Sequence, residues 1–354
     1  MHKLKEVSKI KHLILKKYFP AWAKILGSKN KILFYVDCFA GEGRYEDGVE
    51  GSPLIIAKEA YKLIKSNAPL SLSLIFVEKD KKRAEKLEEN LKNNIVKNYR
   101  LNFMVFNQDI TQIVSDIKKS IPENYPAFYF IDPYGHPLSI PIINEIMSQH
   151  KREILLILMW YSINMHLNNP KVEKTITNMF GDDNWKNQPF MNSKGIPREK
   201  QFIEYFISYL KSESDYILPF RIKFSPEDRI HGRHKRTKYY ILHLSNHPKA
   251  ALLMKEVMWP LGDEEGTFSY SAQNQQVLFS NTPSIEELIK NLSQNFKNQS
   301  IQFDKLRENT WYWPYIEKHY RNALKIMEKN GKVKILRINS KKSGIKGKDE
   351  IFFL

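Results

Sequence analysis

The sequence predicts an α/β chain: a doubly wound parallel sheet with a helical insertion, followed by a small winged helix-turn-helix domain. Three observations carry that expectation. Short apolar runs at residues 32–36, 72–77, 102–107, 128–131 and 154–159 alternate with segments mostly long enough for a helix, the pattern of parallel strands joined by helical crossovers. These runs are continuously apolar rather than alternating, so the sheet they form is covered on both faces. Near the carboxyl end, three helix-patterned stretches lead into a Lys- and Gly-rich hairpin, the order of a winged helix.

With 354 residues, 42% of them hydrophobic, the chain can build a large α/β core plus a smaller module. The expected division is 1–262 and 283–354, with the insertion at about 161–215. No apolar run is long enough to span a bilayer. Residues 1–18 interleave Lys with apolar side chains and lack the apolar segment and small-residue cleavage site of a secretory signal, so a cytoplasmic protein is expected. The single cysteine, Cys38, excludes an internal disulfide framework and a multi-cysteine zinc site. A net charge of +17 attracts polyanions by counterion release, nucleic acid first among them; a Lys-rich solvated surface is the alternative.

In chain order, Leu13, Tyr18, Trp22, Ile25 and Leu26 share one face of an opening helix that Gly27 stops. After the parallel strands, residues 161–214 read as mostly helical, with Phe202, Tyr205, Phe206, Tyr209 and Leu210 at helical spacing. Strands at 217–224 and 238–245 follow, joined by SPEDRIHGRHKR, and a helix at 249–258 closes the unit. Residues 262–282 are polar and aperiodic, as a linker is. In the second module Leu288 and Leu292, then Phe303 and Leu306, then Tyr320, Leu324 and Met327 mark three helices, and Gly331 ends the last. Trp311, Tyr312 and Trp313 are expected in its core.

Ligands of open parallel sheets bind beyond the carboxyl ends of the strands. The first strand reaches Asp37 and the turn FAGEG, where Gly41 and Gly43 permit tight bending. The second ends at Glu78, suited to two ribose hydroxyls, the third leads to Asp109, suited to an adenine amino group, and the fourth reaches Asp132-Pro133-Tyr134-Gly135. GEGRYE lacks the third glycine of a dinucleotide fingerprint. Asp37 and Glu42 make the turn acidic, which suits a sulfonium and an α-amino group better than a pyrophosphate. S-adenosylmethionine is therefore the expected cofactor, and methyl transfer asks chiefly for alignment. Residues 44–53 delay the next helix, bring Tyr45, Glu46 and Glu50 toward the substrate opening, and offer Ser52 as a cap before Pro53.

VDCFAGEGRYEDGVEGSP, FVEKD, FIDPYGHPLSIPIINEIM and TKYYILHLSNHPKAALLMKEVMW resemble the three-Cys-motif partner (TcmP) family over residues 4–259. The resemblance implies a methyltransferase-like Rossmann fold and a partner protein carrying three cysteines, of radical-SAM type. It also implies cofactor contacts at Asp37, Gly41, Gly43 and Glu78, with Phe39 in the same turn, and places Asp132 and Tyr134 toward the substrate. Methyltransferases of exocyclic base amino groups carry an acidic or amide residue, two prolines and an aromatic; here Asp132, Pro133 and Tyr134 keep that order with one proline. A strand-ending turn in which Asp132 caps a helix is the bland alternative.

Arg229, Arg233, Lys235 and Arg236 in the connection SPEDRIHGRHKR are expected to overhang the catalytic edge as a phosphate clamp, or else to form a solvated hairpin tip. Lys318, Arg321, Lys325 and Lys329 fall on the outer face of the third helix of the winged module, and Lys341, Lys342, Lys346 and Lys348 crowd its wing. Such a module contacts nucleic acid or docks protein. The expected function is methylation of nucleic acid, at a base amino group. A non-catalytic nucleic-acid-binding partner of the three-Cys protein is the alternative, and a magnesium nuclease using Asp37, Glu78, Asp109 and Asp132 ranks last.

Overall fold

The apolar runs fold as neighbouring strands of one sheet. The structure, a computed structural model, describes residues 6–95, 98–133, 138–224, 236–261, 268–270, 284–338 and 344–354. Strands β1 (Ile32–Asp37), β2 (Ser71–Val77), β3 (Leu101–Phe106), β4 (Ala127–Ile131) and β5 (Arg152–Leu158) are followed by β6 (Tyr216–Lys223), β7 (Thr237–Ser245) and β8 (Phe268–Tyr270). They lie in the order β3-β2-β1-β4-β5-β7-β6-β8. The first five pair in parallel. β7 is antiparallel to both β5 and β6, so β6 runs with the first five and ends on their carboxyl edge. This is the expected doubly wound, Rossmann-like sheet, with a reversed strand inserted before the edge. Within the stretch expected as a linker, β8 adds an antiparallel strand to β6.

The connecting helices are α1 (Glu6–Gly27), α2 (Ser52–Lys65), α3 (Lys81–Asn94), α4 (Ile110–Ser120), α5 (Ile140–Met147), α6 (Trp160–His166), α7 (Glu173–Phe180), α8 (Gly195–Leu210) and α9 (Pro248–Met258). Successive side chains of a strand face opposite ways, and each face has its own core. Leu33, Tyr35, Phe128 and Phe130 pack with α1, α2 and α9, while Val36, Tyr129 and Ile131 pack with α4, α5 and the insertion. Cys38 is buried. On α1 the buried face is Ile14, Leu15, Tyr18, Phe19 and Trp22; Leu13 and Ile25 are 40% and 54% exposed. Of the expected stripe, Tyr18 and Trp22 are buried and Leu26 packs against the core, while Leu13 and Ile25 are exposed.

Helices α6, α7 and α8 form the insertion, closed by Phe180, Phe190, Phe202 and Phe206. Glu199 on α8 accepts hydrogen bonds from Thr237 Oγ1 and Tyr240 Oη, both at 2.6 Å, so the insertion is tied to β7 close to the carboxyl edge.

The carboxyl-terminal part contains α10 (Ile285–Asn295), β9 (Ser300–Gln302), α11 (Phe303–Asn309), α12 (Glu317–Lys329), β10 (Val333–Leu336) and β11 (Glu350–Phe353). The strands pair antiparallel in the order β10-β11-β9, with β9 added to the two expected strands. Leu288, Leu292, Phe303, Leu306, Tyr320 and Leu324 fill a separate core. Trp313 belongs to that core, whereas Tyr312 is 47% exposed. Trp311 instead meets Tyr216 edge to face at 5.0 Å. The buried Lys255 on α9 donates to the carbonyls of Trp311, Trp313 (2.7 Å) and Tyr315 (3.3 Å). Glu256 accepts from Glu317 N at 2.7 Å and pairs with Arg307 at 3.3 Å.

Candidate active site

Parallel strand order brings Asp37, Glu78, Asp109 and Asp132 to one edge of the sheet. Asp37 closes β1 and is fully buried. Its carboxylate accepts from Ser52 Oγ at 2.7 Å and from Phe39 N at 3.2 Å. Burial pushes its pKa up to about 7; the two hydrogen bonds pull the other way, and nearby Asp132 adds to the rise. Ser52 is therefore not the cap expected from the sequence. It is the first residue of α2, Gly51 occupies the cap position without a side-chain bond, and the hydroxyl turns inward to Asp37.

The glycine turn is held from the second strand. Glu78 Oε2 accepts from Gly41 N at 2.9 Å and Oε1 from Asp80 N at 2.9 Å. Asn107 donates to the carbonyls of Glu78 and Lys79 at 3.0 Å, which fixes the end of β2 against the end of β3. Gly41 and Gly43 have φ of +64° and +83°, a region that costs an L side chain about 1–2 kcal/mol. A Cβ on Gly43 would lie 2.9 Å from Leu87 Cδ1, whereas a Cβ on Gly41 would meet nothing within 4 Å. Gly41 thus borders open space. The following loop folds back on itself through Tyr45 N to Val49 O (2.8 Å) and Gly51 N to Gly43 O (2.8 Å), and Lys58 pairs with Glu50.

Asp109 caps α4, its Oδ1 accepting from Thr111 N (3.0 Å) and Thr111 Oγ1 (2.8 Å). Those bonds hold its carboxyl below the ordinary range. One oxygen of the group expected at an adenine is thereby committed to the helix.

Asp132 follows β4 and forms an ion pair with Lys11 of α1, with side chains 19% and 14% exposed. Burial disfavours the Lys11 charge, but Asp132 and the phenols of Tyr45 and Tyr239 more than offset this and hold its pKa above the ordinary value. His12 is buried beside the Tyr45 ring at 5.8 Å, and burial, with Lys11 next, lowers its pKa to about 3. Lys11 was invisible to sequence reasoning, since its partner lies 121 residues away. Pro133 is buried, while Tyr134, with residues 135–137, lies outside the described residues.

Of the basic groups, Arg229, Arg233 and Lys235 lie outside the described residues, as do Lys341 and Lys342. Phe224 N donates to Arg236 O at 3.1 Å, so both ends of the connection between β6 and β7 sit on the carboxyl edge. Arg236, Lys318, Lys325, Lys329 and Lys346 are exposed. Arg321 departs from the expected open face: it pairs with Glu317 and its guanidinium stacks 5.2 Å from the Phe303 ring. Among the described residues no three His, Cys, Asp or Glu side chains gather as a metal site.

Residues 267–338 match the family described as the GMT-like wHTH domain. No curated protein matches. Among solved structures the chain is similar to Trm1 from Pyrococcus horikoshii with S-adenosyl-L-methionine (10% identity, 95% of this chain and 90% of that one, TM-score 0.37). It is also similar to magnesium protoporphyrin IX methyltransferase from Synechocystis with bound SAH (11%, 70% and 90%, TM-score 0.35) and a dimethyladenosine transferase from Plasmodium falciparum (12%, 93% and 98%, TM-score 0.30). Likeness this remote speaks of no shared substrate.

Proposed function

We propose that the chain is an S-adenosylmethionine-dependent methyltransferase that acts on nucleic acid, with a base amino group as acceptor. The observation that carries this reading is the tie between Glu78 and Gly41, which fixes an acidic glycine turn around open space at the carboxyl edge. Each Glu78 oxygen has one backbone donor, leaving a lone pair on each for a ribose hydroxyl. The donor set suits the cofactor: Glu78 for the ribose, Asp109 for the adenine amino group, and Asp37 with Gly41 and Gly43 for the amino-acid end. When bound, the cofactor supplies an electrophilic methyl group on a sulfonium. Asp132 then accepts from the substrate amino group, the Pro133 carbonyl accepts alongside it, and Tyr134 stacks on the base.

We place the boundary between this catalytic domain and a winged helix within 262–283, with β8 on the side of the large sheet. Lys318, Lys325, Lys329 and Lys346, with Arg236 at the active-site edge, supply phosphate contacts. A three-Cys protein is the proposed partner. Calorimetry with S-adenosylmethionine and SAH should show binding that Gly41→Arg abolishes, and methyl label should pass into total RNA or DNA. Absence of binding removes the reading. Binding without transfer, even with the three-Cys protein present, favours the non-catalytic partner.

A further inference from the structure

We propose that Lys11 is a positioning residue for Asp132: its ammonium keeps that carboxylate ionised and turned so that an oxygen remains open to the substrate N–H. The inference rests on the methyltransferase reading above. Lys11 Nζ contacts Asp132 Oδ2, and the contact joins the second turn of α1 to the loop after β4. Among the described residues, titratable groups of several elements face the pair. His12 lies on α1, Tyr35 and Asp37 on β1, Tyr45 on the glycine loop and Tyr239 on β7. Asp37, once ionised above about pH 7, and the low exposure of the site both oppose a second negative charge. Among the described residues, Lys11 is the cation in contact with Asp132 and offsets them.

The chemistry requires that charge. As the nitrogen lone pair forms the new N–C bond, the electrons of the C–S bond stay on sulfur and the N–H proton passes to Asp132. The sulfonium and carboxylate are both neutralised, Lys11 stays charged, and the net charge of the site is unchanged. A carboxyl protonated beforehand cannot take the proton. It has also lost one of its acceptor positions.

The test uses the full chain labelled with 13C at aspartate carboxyls, the Asp132 signal being assigned by its loss in Asp132→Asn. In Lys11→Gln, which keeps a hydrogen-bond donor without charge, the Asp132 titration midpoint should rise by about one pH unit or more. Lys11→Arg should restore it. Lys11→Met serves as the second neutral variant should the first fail to fold. An unmoved midpoint in the neutral variants overturns the inference. On the same preparations, the acid limb of kcat/KM for methyl transfer should follow the midpoint; a limb that stays in place while the midpoint moves also overturns it. Failure of the wild-type chain to transfer methyl to RNA or DNA is the separate result that defeats the function itself.

Discussion

Asp37→Asn should remove one pH-dependent contribution from the stability. The Asp37 carboxyl rises from its ordinary 3.8 to about 7 because it is buried. A carboxyl raised on folding binds more protons in the native state than in the unfolded one. Its stabilising contribution is therefore complete below pH 4 and is lost as pH climbs to 7. Each pH unit between those two values is worth about 1.4 kcal/mol, so the loss across the window is about 4 kcal/mol. The amide removes this dependence but has one acceptor for the donors Ser52 Oγ, Phe39 N and, at 3.5 Å, Tyr35 Oη, a cost of about 1 kcal/mol at all pH values. The variant should thus be the weaker protein near pH 4 and the stronger by about 3 kcal/mol at pH 8. Urea unfolding followed by tryptophan fluorescence from about pH 3.5 to 8 measures both. Every other titrating group is shared, so the difference isolates Asp37, and a difference that stays constant across the series would refute the argument.

Two further outcomes follow from the same geometry. Glu78→Gln replaces charge-assisted bonds to Gly41 N and Asp80 N by neutral ones, so the affinity for SAH in calorimetry should fall at least about tenfold. Lys255→Met leaves the carbonyls of Trp311, Trp313 and Tyr315 without their donor. The expected loss is about 2 kcal/mol, read as faster hydrogen exchange across 311–316 and earlier proteolysis of the carboxyl-terminal part.

The parallel strands were legible because burial on both faces leaves an uninterrupted apolar run, as in AFYFI of β4. β8 and β9, FSY and SIQ, are too short to impose a period. On α1 the core-facing side was legible at Tyr18 and Trp22, but apolar residues also occur outside it, so that Leu13 and Ile25 are exposed while Ile14, Leu15 and Phe19 are buried. The acidic strand ends could be collected from topology alone, but their partners could not. Ser52 carries both a capping hydroxyl and a route to Asp37, and only the return of the 44–50 loop, with Gly51 bonded to Gly43, chooses between them. Arg321 follows the helical spacing of an outer residue, yet Glu317 one turn earlier and Phe303 on α11 draw it in.

The first helix has a polar handle at each end. Near its start Lys11 grips Asp132; farther along, Tyr18 donates to Glu153 and approaches His243 at 3.3 Å, and Trp22 Nε1 donates to Glu153 at 3.1 Å. Lys11 and Trp22 are about 16 Å apart along the axis at 1.5 Å per residue. A slip of one residue would also turn the helix by about 100°, releasing both handles together. The helix works as a tie-rod: the ammonium beside Asp132 is located from the opposite rim of the sheet. Damage to the buried Glu153 and His243 would be felt as misalignment at the catalytic edge, with no residue there altered.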